Sequence, residues 1–201
     1  MEDVNKPGKN IFTDGKSWSK ESQHAVGGLM KHAEALTAIT CSTVNSYNGL
    51  VPRVGGFEGG TVTWAPTNIT YGHNNRSAQF RLPQNRYCIE NRAADMTMNV
   101  YLALAMTSSA ALEGIKNKID PGKPTDRDLY QMTEDEFKKL GIRRLPKNLL
   151  QAIEALKVDK LAEEVLGPAM KKSFLSYKND EWERYHQAVT DWEVKEYLRL
   201  Y

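Results

Sequence analysis

The chain has 201 residues, 40% of them hydrophobic and 26% charged, with a formal net charge of +2. That length and apolar content suffice to bury a core as one domain spanning 1–201. The balanced charge carries no clustered basic run, which argues against nucleic acid or anionic membrane as a partner, and no apolar run reaches the roughly 18 residues of a membrane span.

Residues 1–18 are polar, with Pro7-Gly8 and Asp14-Gly15 as turn signals. The spacing of Val26, Leu29, Met30, Ala33, Leu36 and Ile39 predicts one helix over 19–40 with Ser19 as its cap. Gly27-Gly28 weakens that helix intrinsically, so the pair is expected to pack closely against another backbone. His24 and His32 have no carboxylate or cysteine at ligand spacing and are expected at the surface or at a cap. Cys41 and Cys88 lack metal or redox spacing. With no secretory signal they are expected to be free, buried thiols in a reducing cytoplasm. Residues 42–70 are loop-rich, with a short strand, TVTWA, before Pro66. Paired glycines flank Phe57-Glu58, the composition of a flap or of a plain surface loop.

The stretch from Asn74 to Gly114 organises the rest. Ser77 to Leu82 and Tyr87 to Arg92 alternate with period two, and Pro83 and Asn85 separate them, so a hairpin is predicted. Glu90 and Arg92 then point the same way, about 7 Å apart along the strand. Arg76 and Arg81 fall on opposite faces of a straight strand, so Arg76 belongs to the preceding turn or a bulge intervenes. Glu90 is either a sheet-surface partner of Arg92 or Arg81 or a functional carboxylate. Thr97 to Ile115 is apolar on nearly every side, which predicts a central buried helix capped by Asp95 or Thr97.

Residues 117–146 form a turn-rich connector with one short helix, opened by the Thr133/Glu136 capping box and closed by Gly141. Helices are predicted over 147–158, over 159–166 with Gly167 as the stop, and from Pro168 onward. Thr190 and Glu193 form a second capping box. The aromatic residues of the last forty positions are expected to pack helices together, and His186 to be structural.

NRSAQFRLP, then IENR, then MNVYLALA together resemble the C-terminal catalytic half of the glutamine synthetase family. IENR, the upstream TVNSY and the DWE near the end are most similar to the branch that includes glutamate–methylamine ligase. The resemblance runs from about Gly8 to Tyr201. It implies an α+β fold: a small, mainly antiparallel sheet covered by the helices at 19–40 and 97–116, with a mainly helical C-terminal region over 117–201. The family's His-x-His motif, expected just before KNIF, is not in MEDVNKPGKN, so the chain resembles one that begins partway through the catalytic domain.

The resemblance also implies a chemistry. The family joins glutamate to ammonia or an amine through γ-glutamyl phosphate, using ATP and Mg²⁺ or Mn²⁺. Arg76 and Arg81 would contact phosphates, Arg92 and Arg76 the glutamate, and Glu90 one divalent cation. Arg76 would serve catalysis together with Glu58, which stands nearest to the flap glutamate that helps deprotonate the incoming ammonium. Two departures stand out. The family's YEAP is FEGG here, and its NSYKRLVP is NSYNGLVP, which puts Gly49 where an arginine grips glutamate. Arg53 lies nearby in sequence. The expected state is a homo-oligomer or a pairing with a complementing N-terminal portion, inactive alone and with a sheet edge left bare. The alternative is a non-catalytic relative that binds or regulates such an oligomer.

Overall fold

The computed structural model describes residues 1–50 and 65–200. The expected strand TVTWA, the flap candidate Glu58 and Arg53 therefore lie outside the described residues, Ala65 excepted. The chain opens with a small antiparallel ribbon, β1 (Glu2–Asp3) and β2 (Lys6–Asn10). Pro7 and Gly8 lie inside β2 and not at its turn, with Gly8 at φ +83°.

The predicted first helix is two helices, α1 (Lys20–Lys31) and α2 (Ala33–Thr40), broken at His32. Ser19 caps α1 by accepting from the Ser22 amide, as expected. A 3₁₀ turn follows at Val44–Leu50. Then come β3 (Asn68–His73), β4 (Ala78–Leu82), β5 (Glu90–Asn91) and α3 (Val100–Asn117). A 3₁₀ turn at Leu129–Gln131, α4 (Glu134–Leu140), β6 (Arg143–Arg144), α5 (Leu149–Val158), α6 (Lys160–His186) and α7 (Asp191–Tyr197) complete the order. Both predicted capping boxes form, at Thr133/Glu136 and Thr190/Glu193. Gly167 interrupts α6 at φ +71°, where the sequence places a helix stop.

The main sheet has the order β5-β4-β3-β6. Two of its pairings are antiparallel, as the fold class requires, and the central β3–β4 pairing is parallel. Only residues 74–77 link those two parallel strands, far fewer than the dozen or more of a usual crossover. Asn74 turns the corner at φ +55°. The buried Asn75 then anchors the return, donating to the Thr125 and Arg127 carbonyls at 2.7 and 2.9 Å and accepting from Ser77. The strand β3 was not predicted. Its residues Asn68 to Gly72 are buried whatever their polarity, so no alternation marks it. Its outer edge is not bare: β6 covers Asn68 and Ile69, and Thr125 donates to the Tyr71 carbonyl at 2.8 Å.

The core joins α1, α2, α3 and α5 to the sheet through Val26, Leu36, Ile39, Phe80, Met106, Ile153 and Leu156. Gly27-Gly28 does pack against another backbone. A Cβ on Gly28 would stand 2.0 Å from the Ala110 carbonyl oxygen, and one on Gly114 would stand 2.1 Å from that of His24.

Three expectations need correcting. Asn99 caps α3, accepting from the Tyr101 and Leu102 amides, while Asp95 accepts from Thr97. The helix α3 is not buried all round, since Tyr101 is 85% and Leu104 60% exposed. Only one stripe of it (Ala103, Met106, Ala110) meets the core, because α1 and α2 approach from one side. The C-terminal aromatics divide likewise: Phe174 and Trp182 pack on the core, whereas Tyr177, Trp192 and Tyr197 are exposed. His186 stacks on Trp182 at 5.6 Å. Among the described residues no helix is long and apolar enough to cross a membrane.

Candidate functional site

The predicted hairpin forms: β4 and β5 pair antiparallel with Arg81 directly opposite Glu90. Cross-strand neighbours of opposite charge face each other in such a register. Arg81 Nη1 donates to Glu90 Oε2 at 2.9 Å, and Arg92 Nη1 donates to Glu90 Oε1 at 2.9 Å. Arg86, on the loop between the strands, approaches Glu90 Oε2 at 3.5 Å. Both carboxylate oxygens are thus engaged. Burial raises the Glu90 pKa, but the Arg92 hydrogen bond and the Arg81 charge outweigh it and hold the carboxyl below its usual range. Glu90 is thus the sheet salt-bridge partner of both Arg81 and Arg92.

Arg76 sits in the bend before β4, exposed, which resolves its five-residue spacing from Arg81. Its main chain ties it to the cluster, because its carbonyl accepts from Arg92 Nε at 2.9 Å. The structure therefore gathers Arg76, Arg81, Glu90 and Arg92 at one end of the hairpin.

Two residues there were missed by sequence reasoning. Asn74 accepts a hydrogen bond from Arg81 Nη2 and so orients that guanidinium. Gln79 shares the Arg81 face of β4 by the period of two. It is fully buried, and among the described residues neither amide atom has a partner; Arg81 Nε is buried and likewise finds none among them. Unpaired buried polar atoms are costly, and functional sites are where they persist. The usable signal was a glutamine two residues before an arginine inside a strand.

A phosphate or carboxylate fits the planar guanidinium forks. A divalent cation fits less well. Among the described residues Glu90 is the only carboxylate in the cluster, and they contain no group of three His, Cys, Asp or Glu able to hold a metal. Gly49 lies in the last turn of the 3₁₀ segment Val44–Leu50, and among the described residues a Cβ there would meet nothing within 4 Å.

Residues 4–197 match the family described as "Glutamine synthetase, catalytic domain". The chain belongs to the glutamine synthetase catalytic-domain family. It is 42% identical over 198 residues to the glutamate–methylamine ligase of Methyloversatilis universalis, covering 96% of this chain and 43% of that protein. It is 40% identical to the glutamine synthetase of Pyrococcus woesei, covering 98% of this chain and 46% of the relative. Among solved structures, a GmaS/ADP complex superposes with a TM-score of 0.81 at 36% identity, over 96% of this chain and 43% of that one. Ligand-free GmaS superposes with a TM-score of 0.77. The chain thus spans under half the length of these glutamine synthetase relatives.

Proposed function

We propose that this chain is the C-terminal part of an ATP-dependent ligase that joins ammonia or a small amine to the γ-carboxylate of glutamate. The observation that carries the reading is the convergence of Arg81, Arg86 and Arg92 on Glu90 at the hairpin. The names of the matched relatives support the reaction class.

In the proposed reaction a γ-carboxylate oxygen of glutamate attacks the γ-phosphorus of ATP, and ADP leaves. The amine nitrogen then attacks the acyl carbon, phosphate departs, and the nitrogen loses a proton to a base. Such phosphoryl transfer needs placement and charge neutralisation above all. Arg92 would hold the substrate carboxylate, its plane fixed by the Arg76 carbonyl. Arg81 and Arg76 would take the phosphate oxygens, with Asn74 fixing Arg81. Glu58 remains the proposed proton acceptor, and ATP with Mg²⁺ or Mn²⁺ the proposed cofactors. A bound cation would neutralise phosphate charge, and Glu90 would supply one ligand. The described residues provide no companion carboxylate, so the others must come from elsewhere.

That shortage supports a second part of the proposal: the chain alone does not ligate and works in a homo-oligomer or with a complementing N-terminal portion. The exposed apolar positions Tyr101, Leu104 and Leu112 of α3 are consistent with a covering partner. The bare Gly49 favours the alternative, a non-catalytic binding or regulatory subunit. The deciding experiment incubates the purified chain, alone and mixed with a full-length relative, with ATP, Mg²⁺ or Mn²⁺, glutamate and ammonia or methylamine. Phosphate and amide are measured. No product from the chain alone, with amine-dependent product in the mixture that falls on Arg81→Gln substitution in this chain, is the expected result. Amine-dependent product from the chain alone, above a Glu90→Gln control, overturns the claim of inactivity. A mixture whose product is indifferent to Arg81→Gln favours the regulatory alternative.

A further inference from the structure

The 3₁₀ turn Val44–Leu50, which carries Gly49, is braced from two distant parts of the chain. At its start the Thr43 and Ser46 side chains serve each other's main chain. The Thr43 amide donates to Ser46 Oγ at 3.2 Å, and the Ser46 amide donates to Thr43 Oγ1 at 3.3 Å. The Val44 amide turns to α6 instead and donates to Glu181 Oε1 at 3.1 Å, across 137 residues of sequence. Glu181 Oε2 accepts from Lys178 Nζ at 2.8 Å. The second brace is the segment that follows Arg92. Thr40 Oγ1 donates to the Ala93 carbonyl at 2.6 Å, the Asp95 amide donates to the Thr40 carbonyl at 3.0 Å, and the Ser46 hydroxyl bonds the Asp95 carboxylate. The turn is thereby fixed to the chain just beyond Arg92.

A carboxylate at the first amide of a helical turn complements the N–H groups that lack a partner within the turn, and their partial positive charge. The Lys178 and Glu181 side chains are only 10% and 20% exposed. An ion pair so far from water adds little net stability, because desolvation offsets its attraction. Its worth lies in the one geometry it selects. Lys178, one turn back on α6, fixes the Glu181 carboxylate so that its other oxygen meets Val44. Trp182, the next residue, packs on the core and anchors that part of the helix. We propose that Glu181 is a positioning residue, which caps the Val44–Leu50 turn from α6 and so sets where position 49 is presented to the substrate glutamate. This rests on reading the chain as part of a glutamate–amine ligase with position 49 in its glutamate site. Glu181 acts through the turn and touches no substrate. The C-terminal helix, read from sequence as packing alone, thus governs the affinity for glutamate and not the chemical step.

The test has two arms. Hydrogen–deuterium exchange of the purified chain compares wild type, Glu181→Ala, Glu181→Gln and Lys178→Met, each checked by thermal unfolding. Steady-state assays then mix each variant with a full-length relative, and the glutamate KM is read from the part of the product that Arg81→Gln in this chain removes. Glu181→Ala should speed exchange across the Val44–Leu50 turn about tenfold, the worth of one charge-assisted hydrogen bond. Exchange in α3 and α5 should stay unchanged, and the glutamate KM should rise about tenfold at constant kcat. Glu181→Gln keeps an acceptor for Val44 and should recover part of both effects. Lys178→Met leaves Glu181 without its anchor and should lie between wild type and Glu181→Ala. It carries the test if Glu181→Ala does not fold. An unchanged turn in Glu181→Ala overturns the cap. Faster exchange spread over the whole chain makes Glu181 a general packing residue and also overturns the proposal. A faster turn with an unmoved glutamate KM overturns the positioning role. Product indifferent to Arg81→Gln overturns the ligase reading and with it any role of the turn toward glutamate, while the exchange arm still decides the cap.

Discussion

His32 Nδ1 lies 2.7 Å from Asp159 Oδ2, while the opposite ring nitrogen, Nε2, faces Glu113 Oε2. The imidazole is 6% exposed and ties the α1–α2 break to α3 and to the start of α6. His32, expected at the surface or at a cap, does stand at the cap position between α1 and α2, but its ring is buried between two carboxylates. Lys31 pairs with the same Glu113, and Lys171 donates to the Asp159 carbonyl. Both ring nitrogens can bond to carboxylates only if both carry protons.

The stability of the chain should therefore fall as pH rises past neutrality. Burial lowers the His32 pKa, but the hydrogen bond and charge of Asp159, with those of Glu113, outweigh it and leave it raised. A raised folded-state pKa means that the fold binds the proton more tightly than the unfolded chain does. The contribution is complete below about pH 6.5, the ordinary histidine value, and is lost as pH rises through the folded value. Glu113 and Asp159 are lowered, so their share is lost only as pH falls through their depressed folded values. Thermal unfolding of wild type between pH 5 and 9 should show the alkaline decline, and His32→Gln should remove it. That substitution should cost on the order of 3 kcal/mol at pH 6. An unchanged pH profile in His32→Gln would refute the assignment.

Gly28→Ala should be more damaging than its one methyl group suggests. The new Cβ would stand 2.0 Å from the Ala110 carbonyl oxygen and 2.7 Å from the Gly114 Cα. Both are backbone atoms, so α1 and α3 must separate. We expect a loss of about 3 kcal/mol, toward the upper end for overpacking, measured by urea unfolding. Gly49→Ala, with open space around its Cβ, should leave the midpoint almost unchanged.

The two thiols should differ sharply in reactivity. Cys41 is 1% exposed, and burial, with the nearby Asp95 charge, pushes its pKa up to about 12. Cys88 is half-buried on the hairpin loop and accepts a contact from Arg86 Nε at 3.1 Å. Iodoacetamide at pH 8 should label Cys88 in the folded chain and Cys41 only after unfolding, as read by peptide mass spectrometry. Equal labelling of both in the native protein would contradict this burial.

Gly49→Arg is expected to improve glutamate binding in the assembled protein. The backbone there does not require glycine, since among the described residues a Cβ meets nothing within 4 Å, and Gly49 has no left-handed φ. A regained charge-assisted contact should tighten glutamate about tenfold, measured by titration. If affinity is unmoved and Arg53→Ala abolishes binding, Arg53 already fills the role.

Much of the site was legible because its determinants are local. The alternation in AQFRL and the Pro83 break gave the hairpin, and register alone then set Arg81 against Glu90. The caps at Ser19, Thr133 and Thr190 were equally visible, since each depends on a side chain within three residues of its target. The burial of His32 was not visible, because its partners lie 81 and 127 residues away. The strand β3 was hidden because a strand covered on both faces loses its period-two signature.

The sequence by itself determined the family, through ordered motifs whose spacing survives without coordinates, together with most helices and the hairpin. Tertiary structure alone decided which side of α3 faces the core, that the first helix breaks at His32, and that the Glu90 carboxylate is already shared among three arginines. The reason is one of range. Periodicity and capping act over a turn or a pair of strands, whereas burial and the division of a charge among partners depend on which distant segments arrive at the same place.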